Sequence, residues 1–194
     1  MSAPTSTEPS NPFGHEAERK AIAQLRRRLP STWQVFSNLR IRRRSGERYE
    51  ADVLLVGPRE AYLLELKEWS GRVDVEGRDV VQYRRNGERV EHGDLFRKIQ
   101  RREEIMVEQS GFDPDAGYLL HNLVVFTNSN VRLEPGARDW MEHLTTWTLL
   151  LSALPRRPGL LMRLVRWLFR RATLTPDMHE QGVRLLKWAQ QLGR

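Results

Sequence analysis

Residues 49–73, YEADVLLVGPREAYLLELKEWSGRV, decide how this chain is read. Apolar runs at 53–56 and 61–64 flank the tetrad Gly57-Pro58-Arg59-Glu60. Proline there favours a turn, because its ring presets the φ that a turn's second position needs. The stretch predicts two strands, 49–57 and 61–69, joined by that turn. Tyr62, Leu63, Leu64 and Leu66 suit a buried strand. Glu65 and Lys67 do not, since burying an unpaired charge is costly.

Alternation places Leu63, Glu65 and Lys67 on one face of their strand. With a four-residue turn, Val56 pairs with Ala61, and Asp52 then falls opposite Glu65. Opposed residues share a face, with Cβ atoms about 5 Å apart, so two carboxylates there repel each other. They need a cation, a shared proton or a basic neighbour. Lys67, about 7 Å further along the same face, is one candidate. A hard divalent metal is another, because Mg2+ takes oxygen ligands. A metal with an ammonium beside it suits phosphodiester hydrolysis. The plainer alternative is a structural salt bridge on an exposed sheet face.

Upstream, Ala17, Ala21, Ile22, Leu25 and Leu29 recur at helical spacing, and Pro30 ends the helix predicted over 14–29. Glu18 borders that apolar stripe. Glu16 lies about 160° away around the helix and is expected to face water. Residues 33–41 predict a first strand. Downstream, the glycines and alternating valines of 70–94 predict short strands and hairpins, with Asn86-Gly87 the strongest turn signal. Asp94 and Gly111 suit the two caps of a helix over 95–109, with Leu95, Ile99 and Met106 on one face. A buried strand is predicted at 121–128 and helices over 146–154, 160–172 and 177–192. The order implies an α/β or α+β domain with a mixed sheet.

The chain has 194 residues, enough for one domain and a small appendage. It has no cysteine, which excludes disulfides and thiolate zinc sites. No P-loop, serine-nucleophile motif or metal-spaced histidine pair is present, and His15 reads as an ordinary helix residue. No secretory signal is read at the N-terminus, and 144–154 falls short of the roughly 20 apolar residues that a membrane span needs. A cytoplasmic location is expected. Residues 1–12, rich in Ser, Thr and Pro, predict a disordered tail. The net charge is +7, and residues 151–194 hold 9 basic and 2 acidic residues, so the whole excess lies there. Within this region 160–171, LLMRLVRWLFRR, is a basic amphipathic stretch with Arg163, Arg166 and Arg170 off its apolar stripe. It fits a helix packed on the core, a contact to DNA backbone or a membrane-surface helix. Trp167 and Trp188 read as packing residues.

From 14 to about 126 the chain resembles the nuclease-related domain, NERD, of the PD-(D/E)XK nuclease superfamily. The resemblance rests on GHEAERKAIAQL and, above all, on SGERYEADVLLVGPREAYLLELKEWSGRV, residues 45–73. It implies a restriction-endonuclease-like α/β core, a mixed central sheet flanked by helices. The chain is expected to divide into a disordered tail at 1–12, a nuclease-like domain at 13–155 and a basic helical extension at 156–194 packed on or next to the core. The resemblance implies Asp52 and Glu65 as metal-binding acids with Leu66 beside them, Lys67 as the catalytic lysine, and Glu18 as the helix-borne acid, with Glu16 a less favoured substitute. The implied cofactor is Mg2+ or Mn2+, and the implied substrate is DNA. Many family members carry a glutamine in the helix after the hairpin. Here Lys98 takes that place, and Gln100 lies about 200° around the helix from it. Lys98 joins Arg163, Arg166 and Arg170 as a nucleic-acid-binding candidate.

Two functions follow from different classes. One is a metal-dependent DNA nuclease. The other is a catalytically idle nucleic-acid-binding or regulatory module attached to a DNA-processing or defence system. Implied partners are a second copy of the chain, for duplex cleavage, or a helicase- or kinase-type protein.

Overall fold

The computed structural model describes residues 12–43, 46–156 and 176–192. The central hairpin forms in the expected register. Strands β2 (Arg48–Val56) and β3 (Glu60–Lys67) pair antiparallel, with Val56 against Ala61 and Val53 against Leu64. Strand β1 (Gln34–Arg42) adds antiparallel to β2. On the other side β7 (Leu119–Phe126) and β9 (Leu144–Thr146) continue the sheet in parallel. Among the described residues this sheet has five strands in the order β1-β2-β3-β7-β9.

Alternation along the hairpin builds two cores. Val53, Leu55, Tyr62 and Leu64 meet Ile22 and Leu25 of α1 (Pro12–Arg28), Leu29 just after it, and Leu150 of α4 (Trp147–Ala153). Leu54, Val56 and Leu63 point the other way. They meet Ile105 and Met106 of α2 (Leu95–Ser110) and Leu185 and Trp188 of α5 (Pro176–Leu192). Helices thus cover both faces of a mixed sheet, as the alternation of apolar strands and helices requires. Leu63, Glu65 and Lys67 share strand parity, so the charged residues belong to the face covered by α2.

A parallel step from β3 to β7 needs a long crossover. Part of it is a second, smaller sheet. Strands β4 (Gly71–Glu76), β5 (Asp79–Tyr83) and β6 (Arg89–Glu91) form the hairpins expected at 70–94. A short strand, β8 (Val131–Leu133), then joins β4 in parallel, giving the order β6-β5-β4-β8, and the one-turn helix α3 (Pro135–Arg138) follows it. Sequence reading had placed one mixed sheet and no strand at β8 or β9. Both have three residues, too few for an alternation to register.

Trp69 joins the two sheets. Its ring stacks on His92 at 3.6 Å between centroids and tilts against Phe126 at 5.5 Å. Gly71 then enters β4 with φ 92, and a Cβ there would meet the Tyr83 carbonyl oxygen at 2.3 Å. Only glycine combines that φ with so close an approach. The Trp-x-Gly that follows Glu65 and Lys67 is therefore the seam between sheets.

Helix α2 has the expected caps. The Asp94 carboxylate accepts from the Arg97 N–H, and Gly111 adopts the left-handed conformation. Trp188 is buried and its indole N–H donates to Gln109 at 3.3 Å. The helix expected at 160–172, the tail at 1–11, Arg163, Arg166, Arg170 and Trp167 lie outside the described residues. Among the described residues no helix is long and apolar enough to cross a membrane.

Candidate functional site

Pairing between β2 and β3 stops at Val53–Leu64. The next pair in register would be Asp52 with Glu65. Instead, the Asp52 side chain accepts a hydrogen bond from the Leu66 N–H at 2.7 Å. On the other side of β2, the residue in register with Asp52 is Asn38, which adopts φ 55. Asparagine tolerates that left-handed region better than most residues. The sheet is therefore interrupted on both sides of Asp52, and its carboxylate ties the loosened strand to β3.

Glu65 is held by two cations. Lys67 Nζ lies 2.8 Å from Oε1, and an Arg102 guanidinium nitrogen meets Oε2. The three side chains are largely enclosed, with Glu65 13% and Arg102 16% exposed. Arg102 stands on α2, which the sheet's parity already places over Glu65. Its Nε is buried with no hydrogen-bond partner.

Burial is the strongest influence on Asp52 and pushes its carboxyl up. The Glu65 charge and, more weakly, Glu18 push the same way, while the Leu66 N–H and Lys67 oppose them. The result is a carboxyl raised to about 7. Burial also works to raise Glu65, but the charges of Lys67 and Arg102 and their hydrogen bonds outweigh it and hold it below the usual range. Two like groups in one place thus divide their roles: Glu65 keeps its negative charge, and Asp52 keeps a proton until near neutrality.

Other expected residues fall at different distances from this centre. Glu18 is half-buried on α1 and close enough to Asp52 to raise its carboxyl. Glu16 faces water and pairs with Lys20 at 2.7 Å. Lys98 and Gln100 are both exposed on α2. Sequence reading missed Arg102. It lies one helical turn beyond Lys98 on the same face, a spacing that offered a signal. Arg97 and Arg101 flank it in the same basic run, and composition alone could not choose among them.

Among the described residues no group of three or more His, Cys, Asp or Glu is placed to hold a metal ion. The Asp52 and Glu65 carboxylates offer hard oxygen ligands, and the Leu66 main chain meets Asp52 through its N–H. A cation would relieve the raised Asp52 carboxyl. This set fits Mg2+, which keeps several waters and takes one or two protein carboxylates.

The nuclease-related domain model matches residues 13–127, from α1 to the end of β7. Over 129 residues the chain is 30% identical to the Probable kinase PglW of Streptomyces coelicolor. The matched stretch is 64% of this chain and 8% of that protein's length. No solved structure matches.

Proposed function

The chain belongs to the nuclease-related domain family, and from that premise we propose that it is a metal-dependent nuclease domain hydrolysing phosphodiester bonds of DNA. The observation that carries this reading is the largely enclosed Asp52 and Glu65, with Lys67 and Arg102 closing on Glu65. Asp52, Glu65 and the main chain at Leu66 would hold Mg2+ or Mn2+. When bound, such an ion polarises the phosphate and lowers the pKa of water.

The chain's own residues do the rest. Lys67 orients the attacking water or offsets negative charge developing on the phosphate. Arg102 presents a planar guanidinium, suited to two phosphate oxygens, from the face that covers the site. Glu18 completes the acidic wall, and Glu16 takes no part. Lys98, exposed one turn before Arg102, contacts the DNA backbone, as do Arg163, Arg166 and Arg170. Residues 13–155 form the nuclease unit, and 156–194 form a basic extension whose α5 helps bury the main sheet. The domain works in the cytoplasm.

A second reading keeps the fold and drops the chemistry. Lys67 and Arg102 already neutralise Glu65 without any metal. A module with that pair serves as a nucleic-acid-binding or regulatory part of a larger system. The likeness to a protein named as a kinase favours a kinase-type partner in either case. Duplex cleavage further calls for two sites, hence a homodimer.

The deciding experiment incubates supercoiled, linear and single-stranded DNA with the protein in Mg2+, Mn2+ or EDTA, beside Asp52→Ala. Metal-dependent cleavage lost in Asp52→Ala is the expected result. No cleavage by the native protein in any metal, with DNA binding retained, selects the second reading.

A further inference from the structure

A recess of about 510 Å³ opens on the smaller sheet. Its walls include Arg72, Arg84, Arg85 and Arg132, with Tyr83 and Asn130, and among the described residues no acidic side chain lines it. Arg72 on β4 and Arg132 on β8 are register partners on adjacent parallel strands. Like charges placed directly opposite are destabilising, and an anion between or above them would relieve the repulsion.

The protein supplies little of that charge itself. Arg72 reaches Glu134 only at 3.8 Å and otherwise rests over the Tyr83 ring at 5.0 Å. Arg84 is engaged by Glu88 at 3.0 Å. Arg85 and Arg132 are exposed and make no ion pair among the described residues. With the Tyr83 face taken by Arg72, the recess offers guanidinium forks and no open ring for a base. Such a surface recognises phosphate geometry, not sequence.

Its position relates it to the candidate site. Gly71, in its wall, lies four residues beyond Lys67. Four residues of extended chain reach at most about 14 Å. Ser129 and Asn130 follow the end of β7 and line the same recess. Two of the crossings between the sheets, at 67–71 and 126–131, therefore lead from the end of β3 and β7 to the recess, and Trp69 pins the first of them. At about 3.4 Å per base pair, a duplex engaged at Lys67 and running along this segment would bring its backbone over the recess within roughly four pairs.

We infer that this recess binds the phosphate backbone of DNA flanking the candidate site, through Arg72, Arg85 and Arg132. The inference rests on the nucleic-acid part of the proposed function and not on cleavage. Its test is therefore equilibrium binding of a labelled duplex by fluorescence anisotropy in EDTA, from about 50 to about 200 mM salt. The Arg72→Gln/Arg132→Gln protein should bind more weakly to every sequence, and the slope of log K against log salt should fall by about 2. Arg72→Lys/Arg132→Lys should keep most of the slope. Arg59→Gln, at the opposite end of β3, should leave it unchanged. If the double variant unfolds, Arg85→Gln on its turn should still reduce the slope by about 1. A native slope in the well-folded double variant, or an equal loss in Arg59→Gln, overturns the inference. So does inorganic phosphate binding lost in the double variant while duplex binding is untouched, which would make the recess a small-anion site. Altered slopes in a protein that cuts nothing would retain this inference and reject the nuclease reading.

Discussion

Arg102 and Glu65 lie 37 residues apart in sequence and form an ion pair between α2 and β3. The pair fastens the crossover helix to the strand that carries the candidate site. Because Lys67 also holds Glu65, loss of Arg102 does not leave the carboxylate unpaired. Arg102→Ala is expected to destabilise the metal-free protein by about 1–3 kcal/mol, less than breaking an isolated buried pair. The same substitution removes a cation that competes for Glu65, so Mg2+ should bind more tightly while cleavage falls. Urea unfolding and calorimetric titration of Mg2+ measure the two effects. Weaker Mg2+ binding in Arg102→Ala would refute the competition.

Asp52 makes stability depend on pH in the unusual direction for a carboxylate. Its folded value, about 7, stands above the ordinary 3.8. Between those values the native protein keeps a proton that the unfolded chain has lost, so stability falls as pH rises through that window. Asp52→Asn should flatten this dependence in EDTA and gain stability at about pH 8 relative to the native protein. Glu65, held below its ordinary 4.5, contributes stability that is lost only as pH falls from that value, so the part of the window above about pH 5 reports Asp52. Denaturant midpoints at several pH values decide the matter, and an unchanged dependence in Asp52→Asn would count against the burial of this carboxyl.

Lys67 is expected to matter for rate and little for affinity. Lys67→Ala should lower DNA cleavage by about 10²–10³-fold, the usual loss for one group that stabilises developing charge. Duplex binding in EDTA should change by less than tenfold. Cleavage at the native rate in Lys67→Ala would remove this residue from the mechanism.

Gly71 tests the seam between the sheets. Gly71→Ala must place a side chain at φ 92 and against the Tyr83 carbonyl, where the Cβ contact would be 2.3 Å. A loss of about 2–4 kcal/mol is expected, read as a lower urea midpoint with an unchanged slope. An unaffected midpoint would mean that β4 shifts freely against β5.

The register of β2 on β3 was legible because a Gly-Pro turn and two apolar runs leave few ways to pair, and a one-residue slip would exchange the faces of every side chain. Asp94 and Gly111 announced the ends of α2 by their own backbone chemistry. The half-buried place of Glu18 on α1 was legible from its neighbours Ala21 and Ile22. The division into two sheets was not, since Trp69 and Gly71 make the seam through contacts with His92 and Tyr83 that no local pattern encodes. Nor was Arg102, whose significance comes from the way α2 lies across β3. The site was thus readable where it is built along one hairpin and hidden where a distant helix supplies a side chain.

The break in pairing at Asp52 has a dynamic consequence. Residues 53–56 of β2 are paired on both sides, with β1 and with β3. Residues 48–51 pair with β1 alone. A two-stranded ribbon opens more easily than a strand inside a sheet. Amide hydrogens of 48–51 should therefore exchange with deuterium well before those of 53–56, with Asp52 at the hinge. A cation shared by Asp52 and Glu65 would staple the ribbon to the sheet, and protection of 48–51 would rise on adding it. In this protein the ordering of one flap of backbone becomes a gauge of whether the site is charged.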